Sequence, residues 1–142
     1  MTAALPAGLF PLTQETAAAA FDWIFAPWIK DMGLTDYVVR EGFASMRLPL
    51  HDKLKFFSGA VCGQALMAAI DTVASMAAAT GARVGKGTVY QHTHFLRPAA
   101  NDDFLIAATV MRFGKASAYV DCNVTFATSG ELVAHAVLEF AF

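Results

Sequence analysis

Between Lys55 and Arg83 the chain carries a single charged side chain, Asp71, set within an otherwise apolar run of alanine, glycine, methionine and aliphatic residues. An ionised carboxylate buried without partners costs several kcal/mol even after relaxation. A fold built around this segment must therefore either pair Asp71 or use it. The run also exceeds the roughly 20 residues with which a helix crosses a bilayer. Gly59, Gly63, Gln64, Asp71, Thr72 and Ser75 interrupt it, alanine outnumbers leucine and isoleucine, and no Lys/Arg-rich loop flanks it asymmetrically. Those features predict a helix buried on all sides of a protein core rather than a membrane span.

The rest of the chain supports a core of that kind. Of 142 residues, 56% are hydrophobic and only 15% charged, which predicts one domain with more apolar surface than it can hide alone, and hence self-association. The formal net charge is −2 with both signs scattered, so no basic stripe is available for a nucleic acid. Residues 1–12 contain Pro6 and Pro11 and no basic leader, and read as a short extension rather than a signal peptide, with the mature chain starting near Met1. Cys62 and Cys122 have no metal-ligand spacing and read as reduced thiols of a cytoplasmic protein. His92 and His94 share one face of a strand, but spacing alone gives two imidazoles only a structural or surface role, and no metal is expected.

Residues 13–32 open with Thr13 at a helix N-cap and place Phe21, Ile24, Phe25 and Trp28 at helical spacing. They predict an amphipathic helix, bent or ended by Pro27. Residues 34–50 read as one strand bulged at Gly42 and stopped by Pro49. The long helix is predicted from Gly59 or Ala60 to about Ala79, released by Gly81. Residues 88–96, 104–113, 117–127 and 132–142 read as strands, the last three as a meander. In 116–126 the even positions are apolar and the odd ones polar, so that strand has one wet face. One apolar helix with such an antiparallel sheet is covered only if the sheet wraps it, an α+β architecture.

Four blocks stand in order along this frame: Cys62-Gly63-Gln64, Ile70-Asp71-Thr72-Val73, Gly87-Thr88-Val89, and Phe95-Leu96-Arg97-Pro98-Ala99. With the order of elements, they resemble the hotdog-fold acyl-CoA thioesterases of the phenylacetate, or PaaI-like, type within the 4-hydroxybenzoyl-CoA thioesterase superfamily. The resemblance implies a single hotdog domain: five to six antiparallel strands around one long central helix, with an N-terminal helix. It implies hydrolysis of aryl or medium-chain acyl-CoA thioesters without a cofactor, the coenzyme A thioester being the substrate. Gly63 would then donate its N–H to the thioester oxyanion, Asp71 would act as nucleophile or general base, and Thr88 would orient the water or the acid. Phe56, Phe57, Cys62, Gln64, Met67 and Arg97 would line the substrate, with Phe21, Trp23, Phe25 and Trp28 contributing aromatic surface from the N-terminal helix.

Helix geometry adds a constraint of its own. Eight residues rise about 12 Å, so Gly63 and Asp71 of one chain do not reach one carbonyl carbon. Two antiparallel central helices would set Gly63 of one chain opposite Asp71 of another across a two-fold axis. This predicts a homodimer; the resemblance adds pairing of dimers as a further expectation and implies a small molecule as the partner rather than a nucleic acid or a membrane. Amides in the first turn of a helix lack intrahelical acceptors and suit an oxyanion.

Each residue also has a plainer role: Asp71 as a structural cap, Gly63 as a packing glycine, Thr88 as an ordinary strand residue. The chain departs from the family pattern in having Cys62 for His, Gln64 for Gly and Phe56 for Asn. Those departures keep open a non-catalytic acyl-CoA-binding module. A 3-hydroxyacyl thioester dehydratase would pair a His with an acid on the helix, and the interval from His51 to Asp71 is too long for that pattern.

Overall fold

The computed structural model describes residues 4–142; residues 1–3 of the N-terminal extension, and with them the expected start near Met1, lie outside the described residues. Helix α1 (Ala17–Ile24) and a single turn, α2 (Pro27–Lys30), share the segment 13–32, the first helix ending just before Pro27, where it was expected to bend or end. Pro27 starts the second turn, where its missing N–H is no loss. Thr13 is not the cap residue: Thr16 is, and the Thr13 hydroxyl accepts from the Thr16 N–H at 3.3 Å.

The segment read as one bulged strand is a hairpin. Strands β1 (Thr35–Arg40) and β2 (Phe43–Leu48) pair antiparallel, with Arg40 opposite Phe43. Gly42, at φ 73°, occupies a turn conformation that β-carbon-bearing residues avoid. Its N–H donates to the Thr80 hydroxyl at 2.8 Å, which ties the hairpin to the end of the long helix.

That helix, α3 (Gly63–Ala78), begins later than expected because residues 55–62 form a small hairpin whose two ends are tied down. Lys55 bridges Val61, the Cys62 N–H donates to Leu54 O, and the Val61 N–H donates to Ala99 O. Gly59, at φ 89°, turns the chain between them and leaves Phe56 and Phe57 at a loop tip. Within α3, the buried Thr72 and the Ser75 hydroxyl each donate to a carbonyl four residues back, at 2.7 Å, so neither brings an unpaired polar group into the core.

Strands β3 (Gly87–Phe95), β4 (Phe104–Phe113), β5 (Ser117–Phe126) and β6 (Leu132–Ala141) complete one six-stranded antiparallel sheet in the order β1-β2-β4-β5-β6-β3, the meander β4-β5-β6 lying at its centre. Ala118, Val120, Cys122 and Val124 of β5, and Ala134, Ala136, Leu138 and Phe140 of β6, turn into the core beside α3. This is the hotdog arrangement.

One expectation about the helix fails in a way that matters. The sheet covers only part of α3: Ala65, Leu66, Ala69, Ile70, Val73, Ala74, Met76 and Ala77 are buried, while Gly63, Gln64, Met67, Asp71 and Ser75 form an accessible stripe at three- and four-residue spacing. Asp71 is therefore partly exposed in the single chain, on the face that the sheet leaves open. Beside it runs β3, the sheet's edge strand, with Val89, Tyr90 and Phe95 at least half exposed.

Candidate active site

Asp71 sits mid-helix and Thr88 at the start of the edge strand, and the fold brings them together: the Thr88 hydroxyl donates to Asp71 Oδ1 at 2.5 Å. The strand reaches Asp71 because α3 packs along it, as two further contacts mark. Gln91 Nε2 donates to Met67 O at 3.4 Å, and the Phe95 ring lies over Gly63. A β-carbon on Gly63 would stand 3.2 Å from Phe95 Cζ, so glycine here permits a close approach whatever else it does.

Gly63 is the first residue of α3, and among the described residues its N–H has no hydrogen-bond acceptor. It borders a depression of about 530 Å³ shared with Phe56, Ser58, Phe95, Arg97 and Pro98. The amide supplies a donor for developing negative charge. Arg97 adds a cation at the rim, its guanidinium donating to Leu132 O.

The other expected site residues do not gather with these. Cys62 and Gln64 line a separate depression of about 440 Å³ with Trp28, Lys53 and Leu54. Phe57 is 99% exposed and lines no described cavity, and Met67 is exposed on the helix stripe. Among the N-terminal aromatics, Phe21 is buried against Phe25 and Tyr37, in packing rather than in a pocket.

A further cavity of about 310 Å³ opens one helical turn beyond Asp71. It is lined by Phe10, Trp23, Ile24, Ser75, Gly87 and Phe140, with Lys86 among its lining residues. Phe10 and Trp23 meet edge to face at 6.2 Å. Sequence reasoning missed Phe10, Ile24 and Phe140 here. Trp23 was the available signal, since an amphipathic helix that exposes a tryptophan leaves a large apolar face for something to cover.

The two cysteines differ sharply. Burial pushes the Cys122 thiol up to about 12, whereas Cys62 is partly exposed at the α3 N-cap. Among the described residues no three His, Cys, Asp or Glu side chains converge as metal ligands.

A six-stranded antiparallel sheet wrapped on one helix, with an acid and a helix-start amide on the helix's open face, defines a hotdog protein. Residues 58–133 match the family model described as the thioesterase superfamily, and the chain belongs to that family. A Thermoplasma acidophilum protein, Ta0293, whose name proposes it as an esterase, is 30% identical over 58% of this chain; the match spans 64% of its length, less than two thirds. TV1331 of Thermoplasma volcanium, with the same kind of name, is 32% identical over 68% of this chain and 74% of its own. The PaaI protein of the E. coli phenylacetic acid degradation operon superposes with a TM-score of 0.76, covering 90% of this chain and 94% of that one at 21% identity, a likeness of fold. No helix among the described residues is long and apolar enough to cross a membrane.

Proposed function

We propose that this protein hydrolyses acyl-CoA thioesters at sites shared between two chains. The observation that carries the reading is the Asp71–Thr88 pair on the uncovered stripe of α3, with the unpaired Gly63 amide two turns away on the same stripe. In a two-fold pairing of these stripes, Gly63 of one chain faces Asp71 of the other. The Gly63 N–H then binds the thioester carbonyl oxygen and stabilises the tetrahedral oxyanion. Asp71 takes the proton of the attacking water, or itself attacks the carbonyl carbon; in either case the C–S bond breaks and the CoA thiolate leaves, and in the second case water then hydrolyses the acyl-Asp71 anhydride to release the acid and restore the carboxylate. Thr88 holds one carboxylate oxygen by its hydrogen bond and leaves the other free to act.

The cavity lined by Phe10, Trp23 and Ile24 receives the acyl group, and its volume of about 310 Å³ and aromatic walls favour an aryl or medium-chain acyl group over acetyl. Arg97 and Lys86 lie at the mouths of the two depressions and suit the phosphates of coenzyme A. The protein acts in the cytoplasm, as a dimer or a pair of dimers, and needs no cofactor.

The test is a panel of aryl- and alkyl-CoA thioesters assayed for free thiol release, on the wild type and on Asp71→Asn. Release by the wild type and its loss in Asp71→Asn supports the reading. Undiminished turnover in Asp71→Asn overturns the role of Asp71, and tight acyl-CoA binding without release assigns a binding module instead.

A further inference from the structure

On the opposite face of β3 from Asp71, two imidazoles converge. Gln91 and Thr93 turn toward α3, linked by a Gln91 Nε2 to Thr93 Oγ1 bond of 3.1 Å, with Gln91 also reaching Met67 O. Strand alternation therefore sends His92 and His94 to the outer face, where both are exposed. Their rings lie 4.5 Å apart, centroid to centroid, and the two Nε2 atoms 2.7 Å apart. Spacing along a strand places two such residues on one side; it does not bring their ring nitrogens together, and here the two Nε2 atoms stand at hydrogen-bond distance, one ring donating to the other.

That separation, a hydrogen bond between the rings, lies close to the bite of a chelate. Two imidazole nitrogens, each about 2.0–2.1 Å from a metal ion, stand roughly 2.9 Å apart when the bonds meet at a right angle and farther apart at the tetrahedral angle. A shift of a few tenths of an ångström thus opens the pair to an ion that accepts cis nitrogens in a square plane, the preference of Cu²⁺ and Ni²⁺ rather than of Zn²⁺. The backbone needs no rearrangement, because β3 is already fixed by its ladder with β6. His135, opposite His94 on β6, turns instead to Asp121, with Nε2 3.5 Å from Oδ1, and so stays outside the pair.

We infer that His92 and His94 form a two-imidazole site for a divalent first-row transition ion, with Cu²⁺ and Ni²⁺ ahead of Zn²⁺, the remaining positions being filled by water. The site is independent of the thioesterase reading, since both side chains point away from α3 and Asp71.

The untagged protein, stripped with chelator, is titrated by calorimetry with CuCl₂, NiCl₂, ZnCl₂ and MgCl₂, and the Cu²⁺ form is examined by electron paramagnetic resonance. The expected result is one Cu²⁺ per chain, affinity in the order Cu²⁺, Ni²⁺, Zn²⁺ with no Mg²⁺ binding, and hyperfine coupling to two imidazole nitrogens. His92→Gln/His94→Gln should weaken Cu²⁺ binding by more than the roughly 10–100-fold that an outer-shell change costs, with melting temperature and thiol release unchanged. Cu²⁺ binding that survives in the double variant, or no saturable Cu²⁺ binding in the wild type, overturns the assignment.

Discussion

Gly63→Pro isolates the proposed oxyanion donor more cleanly than any other single change. Proline removes the N–H, yet at the first residue of a helix its ring is tolerated and its fixed φ suits the helix. The residue before a proline must be extended, and Cys62 already is, at φ −67° and ψ 149°. What proline adds besides is a β-carbon 3.2 Å from Phe95 Cζ. Phe95 is half exposed, so its ring has room to yield. Gly63→Ala adds the same carbon and keeps the amide, and serves as the matched control. Removing one oxyanion donor typically lowers kcat about 10²–10³-fold. Thiol release from the best acyl-CoA of the panel should therefore fall by that factor in Gly63→Pro relative to Gly63→Ala, with melting temperatures of the two variants close together. Equal turnover in the proline and alanine variants would refute the role of the amide and leave Gly63 as a glycine required only by the Phe95 ring.

Thr88→Val keeps the shape of the strand residue and removes the bond to Asp71 Oδ1; kcat should drop roughly tenfold with little change in KM, Thr88→Ser should recover it, and steady-state kinetics on the three proteins is the check. The Leu50 N–H, at 2.7 Å, and the Arg47 guanidinium hold the Asp103 carboxyl below the usual carboxylate range. Its folded value being the lower one, the stability it supplies is fully present above the ordinary aspartate value of about 4 and is lost as pH falls through that value toward the folded one. Melting temperature followed against pH should show that loss, and Asp103→Asn should be less stable at neutral pH and less sensitive to acid. With a chromogenic disulfide, the native protein should present one fast thiol per chain, Cys62, and the denatured protein two, because Cys122 is buried and its thiol is pushed up to about 12; a fast thiol remaining in Cys62→Ser would contradict that burial.

The architecture was legible where side-chain period is strong. Residues 117–127 alternate so regularly that their core face follows directly, and the apolar helix demanded a wrapping sheet. The boundaries that moved are those set by long-range bonds. Residues 59–62 read as the start of the helix by composition, but the hydrogen bonds to Leu54 and Ala99 hold Val61 and Cys62 outside it. The β1–β2 hairpin was read as a bulged strand because Glu41-Gly42 is a weaker turn signal than Asn-Gly or Asp-Gly. The meeting of Thr88 with Asp71 was anticipated by the family motif; the distance between them was not readable from the chain. The assumption that Asp71 is fully buried failed for a physical reason: the many alanines of α3 blur its amphipathic pattern, so Gln64, Asp71 and Ser75 read as interruptions of an apolar run rather than as one open face. That a sheet leaves one face of an apolar helix uncovered is itself the strongest support for a second chain.

Subunit mixing tests the shared site most directly. Asp71→Asn and Gly63→Pro, each inactive alone, are unfolded together, refolded as a mixture and assayed for thiol release. If each site takes Gly63 from one chain and Asp71 from the other, the mixed dimers carry one intact site of two and random pairing restores about a quarter of wild-type turnover; a mixture as inactive as its parents, although sizing shows mixed dimers, would contradict it.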